Sequence, residues 1–336
     1  MNYRGLVIRL DCIGDTVFTQ EVLKCCPQSI VFDVVVGYNF LKNFYNGNKC
    51  IKNIYSVDLD AKLMLHSEIN LIKILNLLKK INSINYDIVI VAHYDNRKLL
   101  KLLTKCFTHS KLYAWSLNYT KNQTIFKDKR LSTKMFMLYT KLVGMNWIHF
   151  DTSSHFSTNL ANVFNRALND LSIKSISLSR QASINVIPQH RDASGVIINL
   201  TGKISDFRAF RIDTIDFILT NIVSDYNLAV IIDDMLEECV YKLLITHGAK
   251  LVIIKNNDLF SVIQQMSAYK YYIGIDGGLT HCAAAVGMSI ISCYSNYMYT
   301  LWSPWTNSNI SLMASKANMV DSFEIIKAFQ KLSKNG

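Results

Sequence analysis

The residues from Tyr271 to Ser295 constrain the fold strongly, because two apolar segments there flank a glycine-rich turn. Residues 271–275 (YYIGI) are β-branched and aromatic, which is typical of a buried strand. The turn DGG follows at 276–278, and the small residues of 279–286 favour a short helix. A second strand is predicted at 289–294. The sequence therefore predicts a strand–loop–helix–strand unit, the repeating element of a parallel α/β sheet.

The turn of this unit has the properties of an anion-binding site. Gly277 and Gly278 allow a ligand close to the backbone, and the helix that follows presents unpaired N–H groups and the positive end of its dipole. Asp276 and His281 are expected in the crevice where open α/β sheets bind ligands, and Thr280 is expected to cap the helix. An ordinary strand–helix turn with an unrelated histidine would produce the same pattern.

Residues 276–287 resemble the signature D-[ST]-G-x-x-H-x-A-A-A-x-G-x-P of the lipopolysaccharide heptosyltransferases, glycosyltransferase family 9. The matching positions are Asp276, Gly278, His281, Ala283, Ala284, Ala285 and Gly287. Gly277 stands where the family has Thr or Ser, so a hydroxyl that the family offers to the donor is missing, and Ser289 stands where the family has Pro. The resemblance implies donor-binding roles for Asp276, Gly277, Gly278 and His281.

A second match lies at the N-terminus. Residues 3–10 are predicted as a buried strand and residues 17–26 as a helix, with a glycine-containing loop between them. The family opens with I-R-x-x-x-x-G-D, and the matching positions are Ile8, Arg9, Gly14 and Asp15. The proline that the family has further on is absent. Two matches in the right order, one at each end of the chain, are more specific than either alone.

In the family, the aspartate equivalent to Asp15 is the proposed catalytic base. An inverting transfer needs a carboxylate that takes the proton from the acceptor hydroxyl as the oxygen attacks the anomeric carbon. Asp15 is also well suited to cap a helix, and Asp11 is a second carboxylate in the same loop.

A strand predicted at 195–200 precedes a polar loop that resembles the family's diphosphate-binding segment. Thr201 takes the place of the family's loop hydroxyl, and Arg208 takes the place of its lysine, with Lys203 as the competing basic residue. Arg keeps the positive charge that stabilises a departing diphosphate but alters the reach of the side chain. A surface arginine on a loop before a helix is the alternative interpretation of Arg208.

The family resemblance also implies how the nucleoside is held. An acidic residue after the strand at 228–232 would bind the ribose hydroxyls, and Asp233 is our first candidate for it. Acidic residues in a first helical turn also favour the helix dipole, which is a structural explanation for the same residues. The loop at 296–305, which is rich in aromatic residues, would close near the donor's base. The other acidic candidates are Asp234 and Glu237.

The first half of the chain alternates predicted strands with amphipathic helices and carries a cluster of basic residues. The resemblance implies that this half receives the acceptor, so Lys98, Lys101 and Arg130 are candidates for binding an anionic glycan. Basic residues on a solvated helix face are the structural alternative. Further candidates of the same cluster are Lys105, Lys121, Lys127 and Lys129.

The resemblance implies a GT-B fold, an α/β architecture with two Rossmann-like domains facing across a cleft. A chain of 336 residues, 50% of them apolar, is long enough to bury two cores. We expect an acceptor-binding domain at 1–165 and a nucleotide-sugar-binding domain at 166–320. The helix expected within 321–336 would pack back on the first domain.

The formal charge of +11 favours an anionic partner, although a solvated lysine-rich surface would give the same charge. The chain shows no nucleic-acid-binding motif, so we expect an acidic lipid-linked glycan or a membrane surface rather than nucleic acid. The eight cysteines are scattered without metal-ligand spacing, which favours a reduced, cytoplasmic protein without a bound metal. No signal peptide or membrane span is predicted, so any association with the cytoplasmic face of the inner membrane would be peripheral.

The resemblance therefore implies a metal-independent inverting glycosyltransferase that needs no cofactor. It would transfer a heptose or a related sugar from a nucleotide diphosphate, such as ADP-heptose, to a lipopolysaccharide or lipooligosaccharide core. Two alternatives remain open. The departure at Gly277 favours a different donor sugar, and the loss of several motif residues favours a catalytically inactive protein that binds sugar nucleotides.

Overall fold

The structure is a computed structural model of the chain, and it contains two compact units. The first comprises Met1–Cys12 and Thr19–Leu178, and the second comprises Ile13–Phe18 and Ser179–Gly336. The structure describes residues 3–10, 13–57, 71–92, 111–116, 144, 146–186, 190–202, 208–222, 226–232, 238–253, 259–295 and 299–334.

The first unit is built on a parallel sheet of six strands in the order β3-β2-β1-β4-β5-β6. Its central strands are nearly continuous apolar runs, as expected where helices cover both faces of a parallel sheet. The strands are β1 (Tyr3–Arg9), β2 (Ile30–Val36), β3 (Ile51–Ser56), β4 (Ile88–Val91), β5 (Lys111–Ser116) and β6 (Asn146–His149). The helices are α2 (Leu71–Asn82), α3 (Phe156–Asn169) and a short 3-10 helix at Asn39–Tyr45. Helix α1 (Ile13–Lys24) is divided, with Ile13–Phe18 in the second unit and the residues from Thr19 in the first.

The second unit repeats this arrangement with the order β12-β11-β10-β7-β8-β9, which is again parallel throughout. Its strands are β7 (Asp192–Asn199), β8 (Asn227–Ile232), β9 (Lys250–Ile253), β10 (Tyr269–Ile275), β11 (Ser289–Ser295) and β12 (Asn309–Ala314). Its helices are α4 (Ile212–Ile222), α5 (Glu238–Thr246), α6 (Leu259–Met266), α7 (Gly278–Ala285), α8 (Tyr299–Trp302), α9 (Ser322–Lys334) and a 3-10 turn at Ala317–Met319.

The predicted α/β fold with two Rossmann-like sheets is confirmed. The strand–loop–helix–strand unit expected around the glycine-rich turn is present as β10, α7 and β11. Helix α1 begins at Ile13, earlier than the predicted 17–26, so Asp15 lies in its first turn rather than in the preceding loop. Among the described residues, none of the helices combines the length and apolar character needed to cross a bilayer.

The two units divide between Leu178 and Ser179, and α3 packs on strands of the first sheet. The apolar face of helix α9 belongs to the core of the second unit. The expected domain limits at 165 and 320, and the packing of the terminal helix on the first domain, remain predictions. Phe329 of α9 contacts Tyr226 and Tyr271 edge to face, with ring centroids 4.9 and 5.4 Å apart. These contacts hold the helix on the second unit's own sheet.

A buried carboxylate ties together the strands of the first unit. Asp33 on β2 is inaccessible to solvent and accepts hydrogen bonds from Arg4 Nη2 at 2.8 Å, Tyr86 Oη at 2.7 Å and Asn53 Nδ2 at 2.9 Å. Three donors on different segments compensate the desolvation of the carboxylate. Burial, reinforced by the hydrogen bond to Asp33, raises the pKa of Tyr86 well above its ordinary value, so its hydroxyl remains a donor.

Asp33→Ala should lower the free energy of unfolding by about 3 kcal/mol or more, because Arg4 and Tyr86 lose their acceptor inside the unit. Urea unfolding followed by circular dichroism measures this loss. Arg166→Ala is the control, since it breaks an exposed i,i+4 pair with Asp170 in the same unit and should cost less than about 1 kcal/mol. Equal losses in the two variants would contradict a structural role for Asp33.

Candidate functional site

The candidate site lies where the strand order of the second sheet reverses. β10 pairs with β7, with Tyr272 opposite Ile197 and Ile273 opposite Ile198. The two strands are parallel and are followed by connections to opposite sides of the sheet, so a crevice opens at their carboxyl ends. Thr201 follows β7 and Asp276 follows β10, so the topology places both predicted donor residues at this edge.

Residues 200–202 and Arg208, which follow β7, lie close together. Asn199 Oδ1 accepts hydrogen bonds from the backbone N–H of Thr201 at 3.0 Å and from its hydroxyl at 2.7 Å. A Cβ at Gly202 would overlap the carbonyl group of Arg208, so only glycine lets the returning backbone approach this closely. The backbone of Arg208 therefore lies beside Gly202, the residue after Thr201, and their shared donor-binding role remains a prediction.

A buried polar network joins this loop to the turn after β10. The Tyr272 hydroxyl interacts with the Asn199 side chain and lies 3.1 Å from Thr280 Oγ1. Thr280 Oγ1 in turn donates to the carbonyl of Ile275 at 2.9 Å. Thr280 therefore does not cap α7 as expected, because its hydroxyl bonds the end of the preceding strand instead. Burial raises the pKa of Tyr272 above its ordinary value, so the hydroxyl stays protonated and the network stays intact at neutral pH.

Asn199 is a site residue that our sequence analysis missed. Its side chain is buried and connects Thr201 to Tyr272. The signal was present, since an Asn two residues before a Thr at the end of a strand is a common Asx-turn pattern.

The turn after β10 presents the amino end of α7 to the crevice. Gly277 precedes the helix in an extended conformation, with φ 173° and ψ 172°, and makes no side-chain cap. Gly278 begins α7, and a Cβ there would lie 2.8 Å from Ile13 Cβ. No side chain caps the first N–H groups of α7, and the expectation that they bind an anion remains a prediction.

Asp276 and Arg208 form the electrostatic centre of this edge. Burial raises the pKa of Asp276 to about 6, and the nearby Arg208 opposes this shift. A carboxyl with such a pKa is mostly ionised at neutral pH and accepts protons in mildly acidic conditions. The edge therefore combines a cation, a carboxyl group and a helix amino terminus within one unit.

The first turn of α1 is part of the same unit. Asp15 lies there and is partly exposed, whereas His281 on α7 is 4% exposed. The His281 ring packs against Phe18, with centroids 4.7 Å apart and an interplanar angle of 61°. Phe18 also neighbours Trp302 at 6.3 Å between centroids, which places one ring of the loop expected near the donor's base at this edge.

Several predicted residues lie outside the described part of the chain, and their roles remain predictions. They comprise donor-binding candidates, the second carboxylate near Asp15 and the acceptor-binding candidates. These residues are Lys203, Asp233, Asp11, Lys98, Lys101 and Arg130.

Arg208→Gln should raise the pKa of Asp276 further above 6, because the opposing positive charge is lost. A carbon NMR titration of the Asp276 carboxyl measures this change. Arg191→Gln is the control, since Arg191 donates to the carbonyls of Val286 and Gly287 at the other end of α7. An unchanged pKa in Arg208→Gln would contradict the proximity of the two side chains.

The pKa of Asp276 also determines how its contribution to folding stability depends on pH. The folded-state value of about 6 exceeds the ordinary value of 3.8, so the folded protein binds more protons than the unfolded chain between these values. The contribution of Asp276 to stability should therefore decrease as the pH rises from 3.8 to about 6. In Arg208→Gln the decrease should continue to a higher pH, because the folded-state pKa is higher.

Residues 233–333 match the sequence profile of glycosyltransferase family 9 (heptosyltransferase). No curated protein sequence matches the chain.

Three solved structures are similar over nearly the whole chain, each at 14% sequence identity. The glycosyl transferase family 9 protein from Veillonella parvula has a TM-score of 0.74, covering 100% of this chain and 98% of its own. E. coli heptosyltransferase WaaC with ADP has a TM-score of 0.72, covering 98% and 99%. E. coli WaaC with ADP-2-deoxy-2-fluoro heptose has a TM-score of 0.66, covering 99% and 100%.

The structural similarity concerns the fold, and the sequence match concerns the class of enzyme. The structures share the fold with this chain, and the sequence match supports the predicted glycosyltransferase class. The predicted resemblance is therefore confirmed: the chain has the two-sheet fold of these structures, and residues 233–333 match the profile of glycosyltransferase family 9 (heptosyltransferase).

Proposed function

We propose that the protein is an inverting glycosyltransferase that transfers a heptose or a related sugar from a nucleotide diphosphate to a lipopolysaccharide or lipooligosaccharide core. The observation that carries this proposal is the meeting of Arg208, Asp276 and the amino end of α7 at the reversal point of one parallel sheet. Nucleotides bind at such points in α/β proteins.

The donor diphosphate fits the cationic side of this edge. The N–H groups of Gly277, Gly278 and Leu279 would donate to its oxygens at the amino end of α7. Arg208 would neutralise its charge, and the Thr201 hydroxyl, held by Asn199, would add a further donor. ADP is the nucleotide we propose first, because similar structures contain ADP and ADP-2-deoxy-2-fluoro heptose.

The sugar would lie over the polar side of the edge. Asp276 would accept hydrogen bonds from sugar hydroxyls, which the nearly complete ionisation of a carboxyl of pKa about 6 permits at neutral pH. His281 would hold the sugar or the phosphate from the first turn of α7. We assign the ribose to Asp233 on the family resemblance.

The chemical step is a displacement at the anomeric carbon. Asp15 would take the proton from the acceptor hydroxyl while that oxygen forms the new bond to the anomeric carbon. The bond between the anomeric carbon and the diphosphate oxygen breaks, and the diphosphate leaves with the electron pair. Arg208 and the α7 N–H groups would stabilise the negative charge that develops on the leaving diphosphate, which is the role a metal ion has in metal-dependent transferases.

The acceptor would be an anionic, lipid-linked glycan. The net charge of +11 favours such a molecule and a peripheral position on the cytoplasmic face of the inner membrane. We assign acceptor binding to Lys98, Lys101 and Arg130 on the family resemblance.

A different donor is the second candidate. Gly277 places no side chain before α7, so a hydroxyl that the family offers at this position is missing. A donor that makes no hydrogen bond at position 277 would keep its affinity. A donor that depends on a hydroxyl there would bind more weakly.

Asp15→Asn should abolish most transfer and leave donor binding intact, because the amide cannot accept the acceptor's proton. General-base catalysis contributes roughly 10²–10⁴-fold, so a loss of that order is expected in single-turnover assays. ADP affinity, measured by calorimetry, should stay unchanged. Asp11→Asn is the matched control, and a larger loss in that variant would move the base to Asp11.

Mass spectrometry of the glycan from a strain that lacks the protein should show a core that has lost one heptose. The shortened glycan then serves as the acceptor in the assays above. Loss of a sugar other than heptose would favour the second candidate, and an unchanged glycan would contradict the transferase proposal.

A further inference from the structure

The first turns of α1 and α7 fit into each other through two glycines. Gly278 leaves room for Ile13, and Gly14 leaves room for His281. A Cβ at Gly14 would overlap His281 Cδ2 and would lie 3.2 Å from Nε2 of the same ring. Each helix thus places a side chain where the other has none, which fixes the two turns relative to each other within the second unit.

Phe18 completes the surroundings of the His281 ring. It is fully buried one helical turn after Gly14 and meets the imidazole at 61° with centroids 4.7 Å apart. An edge-to-face neighbour restricts rotation of the ring about its last side-chain torsion, which is otherwise broad for histidine. The ring is thus held between the backbone of Gly14 and the side chain of Phe18.

We propose that Gly14 and Phe18 are positioning residues that set the orientation of the His281 imidazole and hold the first turn of α1, with Asp15, against the donor turn. The inference rests on the proposed function, in which His281 holds the donor and Asp15 removes the acceptor proton. A side chain at position 14 would force the ring to turn or the helix to shift, and Asp15 would move with the helix. Phe18→Leu would keep most of the side-chain volume but remove the aromatic ring that contacts His281.

The first unit offers a matched set of controls. A Cβ at Gly5 would also overlap an aromatic ring, that of Phe32, and Phe32 packs against the fully buried Phe164 with centroids 5.7 Å apart. Gly5→Ala and Phe164→Leu therefore reproduce the steric change and the loss of a buried ring in a core that excludes His281.

The test follows the His281 signal and the transfer kinetics in the same variants. Protein labelled at the histidine Cε1 gives one signal for each of eight histidines, and His281→Gln assigns the one of interest. Gly14→Ala and Phe18→Leu should shift that signal, whereas Gly5→Ala and Phe164→Leu should leave it unchanged. Thermal unfolding reports the stability lost in all four variants.

The kinetic readout separates positioning from stability. With ADP-heptose and the shortened glycan, Gly14→Ala and Phe18→Leu should lower kcat on the order of 10²-fold, while ADP affinity changes much less. The controls should keep the wild-type kcat at temperatures where they are folded. If Gly14→Ala does not fold, Phe18→Leu decides the question, because it introduces no overlap.

The two proposals fail in different ways. An unchanged His281 signal in a folded Phe18→Leu variant overturns the positioning role, even if the wild-type protein transfers heptose. Wild-type protein without transferase activity overturns the proposed function, and the comparison of His281 signals still decides whether Gly14 and Phe18 position the ring.

Discussion

The buried side chain of Asn199 connects the parts of the candidate site. It accepts from Thr201 on one loop and interacts with the Tyr272 hydroxyl on the neighbouring strand. Tyr272 continues the network to Thr280 and so to the amino end of α7. Since Asn199, Tyr272 and Thr280 are buried, losing one of these side chains would leave its partners unsatisfied at a cost in free energy. The network therefore holds the two loops in one arrangement relative to each other.

The electrostatics of the site depend on this rigid frame. Asp276 is buried enough for its pKa to rise to about 6, while Arg208 keeps it from rising further. A carboxyl and a guanidinium near one helix amino terminus suit a donor that carries both hydroxyl groups and a diphosphate. Charges arranged before the donor arrives need little reorganisation during the reaction, which is how preorganised sites stabilise developing charge.

Three glycines permit close contacts in the candidate site that a Cβ atom would block. Gly202 lets the backbone return at Arg208, and Gly14 and Gly278 let two helix turns approach each other. A Cβ at Gly277, by contrast, would meet only the carbonyl oxygen of Ile275 at 3.7 Å, so no close approach requires glycine there.

The sequence by itself determined the strand–loop–helix–strand unit of β10, α7 and β11, the two-sheet α/β class and the residues of both family motifs. These features depend on local composition and spacing, which can be read along the chain. Only the tertiary structure decided that α1 starts at Ile13, that α9 packs on the second unit, and that Asn199 and Phe18 belong to the site. These outcomes depend on contacts between residues far apart in sequence, such as Gly14 with His281, where the fit of one surface to another overrides local preference.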